Sequence, residues 1–283
     1  MIRCENLQHV YQKGTPFEKA ALKDINLHIK KGEMTAIIGH TGSGKSTLIQ
    51  HFNALELPTG GKVFINGEDV CDKKTNLKLL RSKVGLVFQY PEHQLMEQTV
   101  KKDIAFGPKN LGITGDELEE RVCLAAKMIG LREEYLEKSP FELSGGEKRR
   151  VAIAGVLAME PEAIVLDEPT AGLDPRGRDE LFELLKKLND TGMTVVIVSH
   201  SMEDVAKIAK RIIVIDDGKI VLDGDVDYVF SKGGYLKSIG LDIPLITEVM
   251  LKLSENGAGV RKNIYTIEEA YKDIVGLIKR KSV

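Results

Sequence analysis

The densest chemistry in the sequence lies at Gly39-His40-Thr41-Gly42-Ser43-Gly44-Lys45-Ser46, with Thr47 directly after it. The run has the form Gly-x4-Gly-Lys-Ser. It follows the strand-like Met34-Thr35-Ala36-Ile37-Ile38 and opens a helical stretch, the context in which this pattern cradles phosphate. Its glycines allow backbone conformations that turn successive N–H groups inward, and the positive end of the following helix adds to their pull on an anion. Lys45 supplies a point charge for β- and γ-phosphates, and the Ser46 hydroxyl is placed to ligate Mg²⁺. A fortuitous glycine-rich turn would not need both flanks. The pattern implies a nucleoside triphosphate with Mg²⁺.

Two acids end the apolar run Ile164-Val165-Leu166-Asp167-Glu168. Carboxylates at the end of a buried strand are costly without a cation, so a structural account alone is weak. Asp167 suits the second support of the Mg²⁺ shell, and Glu168, one residue on, suits the polarisation of an attacking water. Ser199-His200 ends a further apolar run, Thr194 to Val198. A lone histidine is usually structural, but ligands in open α/β sheets sit at the carboxyl ends of the strands. His200 is therefore expected to face the γ-phosphate or the attacking water.

A second anion-binding helix start is written at Leu143-Ser144-Gly145-Gly146-Glu147, ahead of Lys148-Arg149-Arg150. Ser144 is a good N-cap, and Gly145 and Gly146 leave backbone N–H groups open at the positive end of a helix. One phosphate chain does not need two cradles from one chain.

The elements that must hold these groups alternate between strand and helix. Val63–Ile65, Val84–Phe88, Ala163–Leu166, Thr194–Val198 and Ile212–Ile215 read as strands, the last three continuous, as in a parallel sheet covered on both faces. Arg178 to Leu188 reads as a helix with Leu181, Leu184, Leu185 and Leu188 on one side. Ile25-Asn26-Leu27-His28-Ile29 alternates with period two, which predicts a half-exposed antiparallel strand. Helical patterns such as Glu117 to Ile129 dominate residues 94–143, an expected helical insertion. After Gly240, Ile246, Val249, Met250 and Leu253 form one helical stripe. Ile267, Ala270, Tyr271, Ile274 and Ile278 form another, opened by a Thr266…Glu269 capping box. The expected class is α/β.

Composition narrows the partners. Among 283 residues, 40 Lys+Arg face 42 Asp+Glu, a net charge of −2, so no basic footprint draws the chain to nucleic acid. With 42% hydrophobic residues the chain is not of disordered type, and its apolar runs are strand-sized, short of the roughly 20 residues of a membrane span. The N-terminus lacks the apolar stretch of a signal peptide. Cys4, Cys71 and Cys123 have no metal-ligand spacing and fit a reducing compartment.

Taken together, these residues resemble the ATP-binding cassette (ABC) ATPases over nearly residues 1 to 235. Gly39 to Ser46 is similar to the Walker A loop, Ile164 to Glu168 to the Walker B strand, and Leu143 to Glu147 to the signature. Gln89 resembles the Q-loop glutamine, a catalytic residue and Mg²⁺ ligand, Ala171-Gly172-Leu173-Asp174 the D-loop, and His200 the switch histidine. Tyr11 resembles the aromatic that stacks on adenine, with a rim aromatic packed on the sheet as the alternative. Glu147 departs from the usual Gln. It suits the helix dipole but lowers the attraction for phosphate. The resemblance implies a P-loop core of mainly parallel sheet with an antiparallel β subdomain. It also implies an inserted helical subdomain at about 94–160 within an ATPase domain 1–240, and a C-terminal helical extension 241–283. It implies a head-to-tail dimer clamping ATP between Walker A of one subunit and the signature of the other.

Phe88-Gln89-Tyr90-Pro91-Glu92-His93-Gln94-Leu95, the Asp167 to Arg178 run and the tail narrow the resemblance to the ATPase subunits of energy-coupling factor (ECF) importers, of the A-prime type. Such a subunit works peripherally on the cytoplasmic side of the membrane. It powers uptake of vitamins or transition-metal ions through a transmembrane T subunit and a substrate-binding S component. Tyr90, Pro91, Leu95 and Phe106 would then lie near the groove for a coupling helix, or pack the helical region internally. The alternatives are an ATPase of another ABC importer class, or a soluble ABC ATPase of repair or translation. The stretch from Ser46 to Ser144 is too short for the coiled coil of a repair protein, and the chain carries one cassette where translation factors carry two. A P-loop kinase would leave Ser144 to Glu147 unexplained.

Overall fold

Strands and helices alternate along the chain in the computed structural model, which describes residues 1–281; positions 282 and 283 of the expected C-terminal extension lie outside the described residues. The strands are β1 (Ile2–Tyr11), β2 (Lys19–Ile29), β3 (Met34–Ile38), β4 (Gly60–Ile65), β5 (Glu68–Asp69), β6 (Val84–Val87), β7 (Ala163–Asp167), β8 (Thr194–Val198), β9 (Arg211–Asp216) and β10 (Lys219–Gly224). The helices are α1 (Lys45–Phe52), α2 (Leu77–Lys83), α3 (Val100–Leu111), α4 (Gly115–Met128), α5 (Gly145–Leu157), α6 (Pro175–Asp190), α7 (Met202–Ile208), α8 (Val226–Phe230), α9 (Gly233–Ser238), α10 (Leu245–Glu255) and α11 (Ile267–Lys281).

They form two sheets. One is antiparallel, in the order β2-β1-β4-β5; the other runs β10-β9-β3-β8-β7-β6 and is parallel except for β10. In β2 the predicted alternation holds, with Ile25, Leu27 and Ile29 buried and Asn26 and His28 exposed. In β8 every residue is buried, because each face meets a different layer. Val196 and Val198 join a cluster shared with α1 and the antiparallel sheet, while Val195 and Ile197 face α3–α6. That two-sided burial is why these strands read as unbroken apolar runs.

Between β6 and β7 the described chain is helical apart from loops. α3, α4 and α5 share a core of Ile104, Val122, Ala125, Val151 and Leu157. Of the four groove candidates, Pro91 and Leu95 pack inward, whereas Tyr90 and Phe106 are 42% and 51% exposed. The last two helices carry their own small core of Met250, Val260, Ile264 and Ala270. Leu251 and Tyr265 reach the cluster of α7–α9, and Thr247 donates a buried bond to the Ile264 carbonyl at 2.7 Å.

The stripes expected in this tail need correction. Ile267 and Tyr271 are 72% and 68% exposed, and Val249 and Ile278 also face outward; the packed side of α11 is Ala270, Ile274 and Leu277. Apolar residues cover more than one side of α11, and periodicity alone does not choose between them. The capping box at its start is half formed: Thr266 Oγ accepts from Glu269 N–H at 3.3 Å, but Glu269 answers to Tyr265 N–H instead.

The carboxyl ends of β3, β6, β7 and β8 lie along one edge of the parallel sheet, and each leads into a sequence flagged for chemistry.

Candidate functional site

The loop from Gly39 to Gly44 joins buried β3 to α1. Gly39 sits so close to the β9 backbone that a Cβ there would meet the Ile215 carbonyl at 2.3 Å; Gly44 has φ of +108°, and a Cβ would meet the Ala21 carbonyl at 2.6 Å. Both positions therefore require glycine. Lys45 Nζ folds back onto the loop and donates to the Gly39 and His40 carbonyls at 2.7 and 2.9 Å. Burial lowers its pKa, an effect opposed by the charges of Glu168 and Asp167. An ammonium held only by neutral carbonyls is attracted more strongly by phosphate oxygens. Ser43 Oγ is buried without a hydrogen-bond partner, an orphan polar atom inside the cradle.

A cavity of about 170 Å³ opens over this loop, lined by Tyr11, Lys19, Ala21, Gly42, Gly44, Lys45, Ser46 and Thr47. Tyr11, at the end of β1, is held by a 3.2 Å bond between its hydroxyl and Thr47 Oγ1, so its ring forms part of the wall beside the loop. His40 and Thr41 lie in the loop and are exposed. The His40 imidazole is engaged elsewhere, with Asp216 at 3.0 Å and the Thr41 carbonyl at 2.9 Å.

At the next strand ends, Ser46 Oγ donates to Asp167 Oδ2 at 3.0 Å, joining residues 121 positions apart. Burial raises the Asp167 pKa, opposed first by the Ser46 bond. Two hard oxygens meet here beside a phosphate loop. Among the described residues no group of three or more His, Cys, Asp and Glu is arranged to hold a metal ion by itself. That donor set fits Mg²⁺, which takes one or two protein oxygens and completes its shell with phosphate and water. Glu168 is mostly buried and its Oε2 lies 2.8 Å from Nδ1 of exposed His200. Its backbone is left-handed, φ +48°, an uncommon state for a residue with a side chain. The turn is fixed by Glu168 N–H on the Val198 carbonyl and Ala171 N–H on the Glu168 carbonyl.

Two expected participants stand apart from this cluster. Gln89 follows β6 at the same sheet edge and is exposed. Ser144, Gly145, Gly146 and Glu147 start α5, and none of them lines the cradle cavity. There Ser144 and Glu147 form a complete capping box. The Glu147 pKa is lowered, first by the bond from the Ser144 hydroxyl.

Sequence reasoning missed four side chains that brace the site. Arg149 is 4% exposed and binds Glu92 and the carbonyls of Pro169 and Ala171; Thr170 Oγ1 donates to Asp204 at 2.7 Å in the interior. Inside Lys148-Arg149-Arg150 nothing local marks the middle arginine as the buried one.

Residues 22–171 match the family described as ABC transporter. The chain is 54% identical over 283 residues to the energy-coupling factor transporter ATP-binding protein EcfA2 of Clostridium tetani, covering 99% of this chain and 98% of the relative. It is 53% identical over 280 residues to the EcfA2 of Clostridium acetobutylicum, covering 98% of each. Among solved structures, cbiO1 of Clostridium perfringens, part of the ABC transporter complex cbiONQ, superposes with a TM-score of 0.75 at 38% identity, over 88% of this chain and 98% of that one. The ATP-binding cassette MJ0796, a dimer in a post-hydrolysis state bound to ADP and Pi, superposes at 0.71 with 34% identity, over 80% and 99%. Nucleotide-binding loop, strand ends and relatives agree: the chain belongs to the ABC transporter ATPases, in the branch of the energy-coupling factor transporter ATP-binding proteins.

Proposed function

We propose that this chain binds and hydrolyses ATP with Mg²⁺ as the A-prime type ATPase of an ECF importer, driving uptake of vitamins or transition-metal ions. The observation that carries the reading is the convergence of Ser46–Asp167 at 3.0 Å and Glu168–His200 at 2.8 Å on one sheet edge beside the phosphate loop. In this reading residues 1–240 form the ATPase domain, with a helical subdomain at about 94–160, and the helices from 241 onward are an extension.

Backbone N–H groups of residues 39–47 and Lys45 hold the phosphate chain, and Tyr11 lies against the adenine. Ser46 and Asp167 would hold Mg²⁺, joined by Gln89 from the end of β6, and the ion when bound would supply neutralisation of phosphate charge. Glu168 accepts a hydrogen bond from the attacking water and orients it in line with the γ-phosphorus. As the new P–O bond forms, the bond to the β,γ-bridging oxygen breaks, ADP leaves with its electron pair, and the water proton passes to the Glu168 carboxylate. His200, bonded to Glu168, positions that carboxylate and faces the γ-phosphate.

Ser144 to Glu147 serve the other nucleotide of a head-to-tail dimer, because they lie outside their own chain's cavity. The dimeric state of MJ0796 with ADP and Pi supports pairing of two such chains. Shifting an open/closed equilibrium from 1:99 to 99:1 takes about 5.5 kcal/mol of differential binding, within reach of two triphosphates gripped from both sides. Hydrolysis removes the bridge and reopens the dimer. The second subunit is a paralogous ATPase or a second copy, and the pair sits peripherally on the cytoplasmic face against a transmembrane T subunit carrying an S component. No described helix is long and apolar enough to cross a membrane, so the solute pathway belongs to those partners.

Native mass analysis of the complex purified through this chain tests the reading. A T subunit and two ATPase chains are expected, and recovery on DNA or ribosomes without membrane protein would reject it.

A further inference from the structure

Arg149 is a buried cation that none of the roles above uses. It lies one turn into α5, with Lys148 and Arg150 on either side partly open to solvent. Its Nε and Nη2 grip the two carboxylate oxygens of Glu92 at 3.1 and 2.9 Å, and its Nη1 donates to the carbonyls of Pro169 and Ala171, both at 2.9 Å. Removing a guanidinium from water costs several kcal/mol unless it is paired and its N–H groups are satisfied. Here one rigid planar fork meets that demand from two segments at once. The single point charge of a lysine could not reproduce this.

The two segments are Pro91–Gln94, a turn of 3-10 helix just after Gln89, and residues 169–171, just after Glu168. Glu168 holds an uncommon left-handed backbone, φ +48°. Such a state is costly for a residue with a side chain and persists where its surroundings over-determine it. The segment that follows Glu168 is braced by Thr170 on Asp204 of α7. Arg149 braces the same segment through the carbonyls on either side of Thr170.

We propose that Arg149 is a positioning residue: its guanidinium ties the Glu92 turn to the Pro169–Ala171 segment and thereby sets where the Glu168 carboxylate stands for hydrolysis. A shift of the Gln89–Gln94 segment moves Glu92, the fork follows, and the carbonyls next to Glu168 follow the fork. The inference rests on the reading of Glu168 as the carboxylate that orients the attacking water.

The test uses the full chain, with kcat and KM for ATP in Mg²⁺, equilibrium binding of a fluorescent ATP analogue and a melting curve. Arg149→Lys is expected to melt cooperatively and keep nucleotide affinity within about 2-fold while kcat falls about 10–100-fold, the scale of a misplaced reacting group. In a Glu168→Gln background the same substitution should slow single-turnover hydrolysis less than about 2-fold further, because residues acting as one unit are non-additive. Where Arg149→Lys does not fold, Glu92→Gln is the variant, and kcat several-fold lower with affinity kept is expected. Wild-type kcat in the folded variant overturns the proposal, as does an Arg149→Lys loss that carries over in full to the Glu168→Gln background. A defective Glu168→Gln beside an unimpaired Arg149→Lys rejects the positioning role alone. Wild-type turnover in Glu168→Gln rejects the reading of Glu168, and the positioning role with it.

Discussion

Ser144 Oγ lies 2.6 Å from Glu147 Oε2, and the same carboxylate oxygen accepts the Ser144 backbone N–H at 2.9 Å. The hydroxyl that would meet the partner subunit's nucleotide is thus donated to a negative charge of its own helix. Closing the dimer must break or share that bond and bring a carboxylate toward phosphate. Glu147→Gln keeps the acceptor and removes the charge. It is expected to tighten ATP-driven dimerisation and raise kcat a few-fold, since a surface charge near a helix start is worth about 0.3–1 kcal/mol. Sedimentation with ATP and steady-state kinetics check this; an unchanged dimer affinity refutes it.

Lys45 donates to two carbonyls of the loop it serves, but the loop's path is also fixed by the close approach of Gly39 and Gly44 to the Ile215 and Ala21 carbonyls, which its loss leaves in place. Lys45→Ala should weaken nucleotide binding about 10–100-fold, the value of a charge-assisted hydrogen bond of about 1.5–3 kcal/mol. A fluorescence titration with labelled ATP measures it, and the melting curve of the variant should match that of wild type.

Glu168→Gln removes the proton acceptor without changing shape. Hydrolysis should slow about 10²–10⁴-fold while ATP affinity is kept. His200→Ala, which removes the 2.8 Å partner of Glu168, should lower kcat with little effect on affinity. Single-turnover hydrolysis and equilibrium binding separate the two quantities. A loss of affinity equal to the loss of rate would move His200 from positioning to nucleotide binding.

His51 provides a pH dependence of stability. Its Nδ1 donates to the Thr47 carbonyl at 2.7 Å, its Nε2 is buried without a partner, and the His9 ring lies edge-on with centroids 4.8 Å apart. Burial, the largest cause, holds its pKa below the ordinary value of 6.5. Below about pH 6.5 the unfolded chain takes up a proton that the folded chain refuses, so stability falls as pH drops from there toward the lowered folded value. His51→Phe should be less stable by about 1 kcal/mol at pH 7 for the lost bond, and the gap should narrow through a flatter decline between pH 6.5 and 5. Melting temperatures across that range decide it; equal slopes would exclude His51 as the titrating group.

What the sequence determined by itself was local. The phosphate loop is contiguous, and its neighbours in the chain are its neighbours in space, so Gly39 to Thr47 could be read directly. The buried strands were legible because both of their faces are covered, and β2 because only one is. The tertiary structure decided whatever depended on bringing distant segments together. The motifs assigned Ser46 and Asp167 to one Mg²⁺ shell, but the contact that joins them across 121 positions is made by the β3-β8-β7 strand order. Arg149 became the buried member of a basic triplet because the Glu92 turn and the Pro169–Ala171 carbonyls converge on its side of α5. Even at short range the choice was tertiary. The Ser144…Glu147 and Thr266…Glu269 pairs have the same spacing, yet only the first closes into a full capping box. Spacing says which groups can meet along one helix, whereas packing decides which side of that helix is buried and which bonds remain worth making.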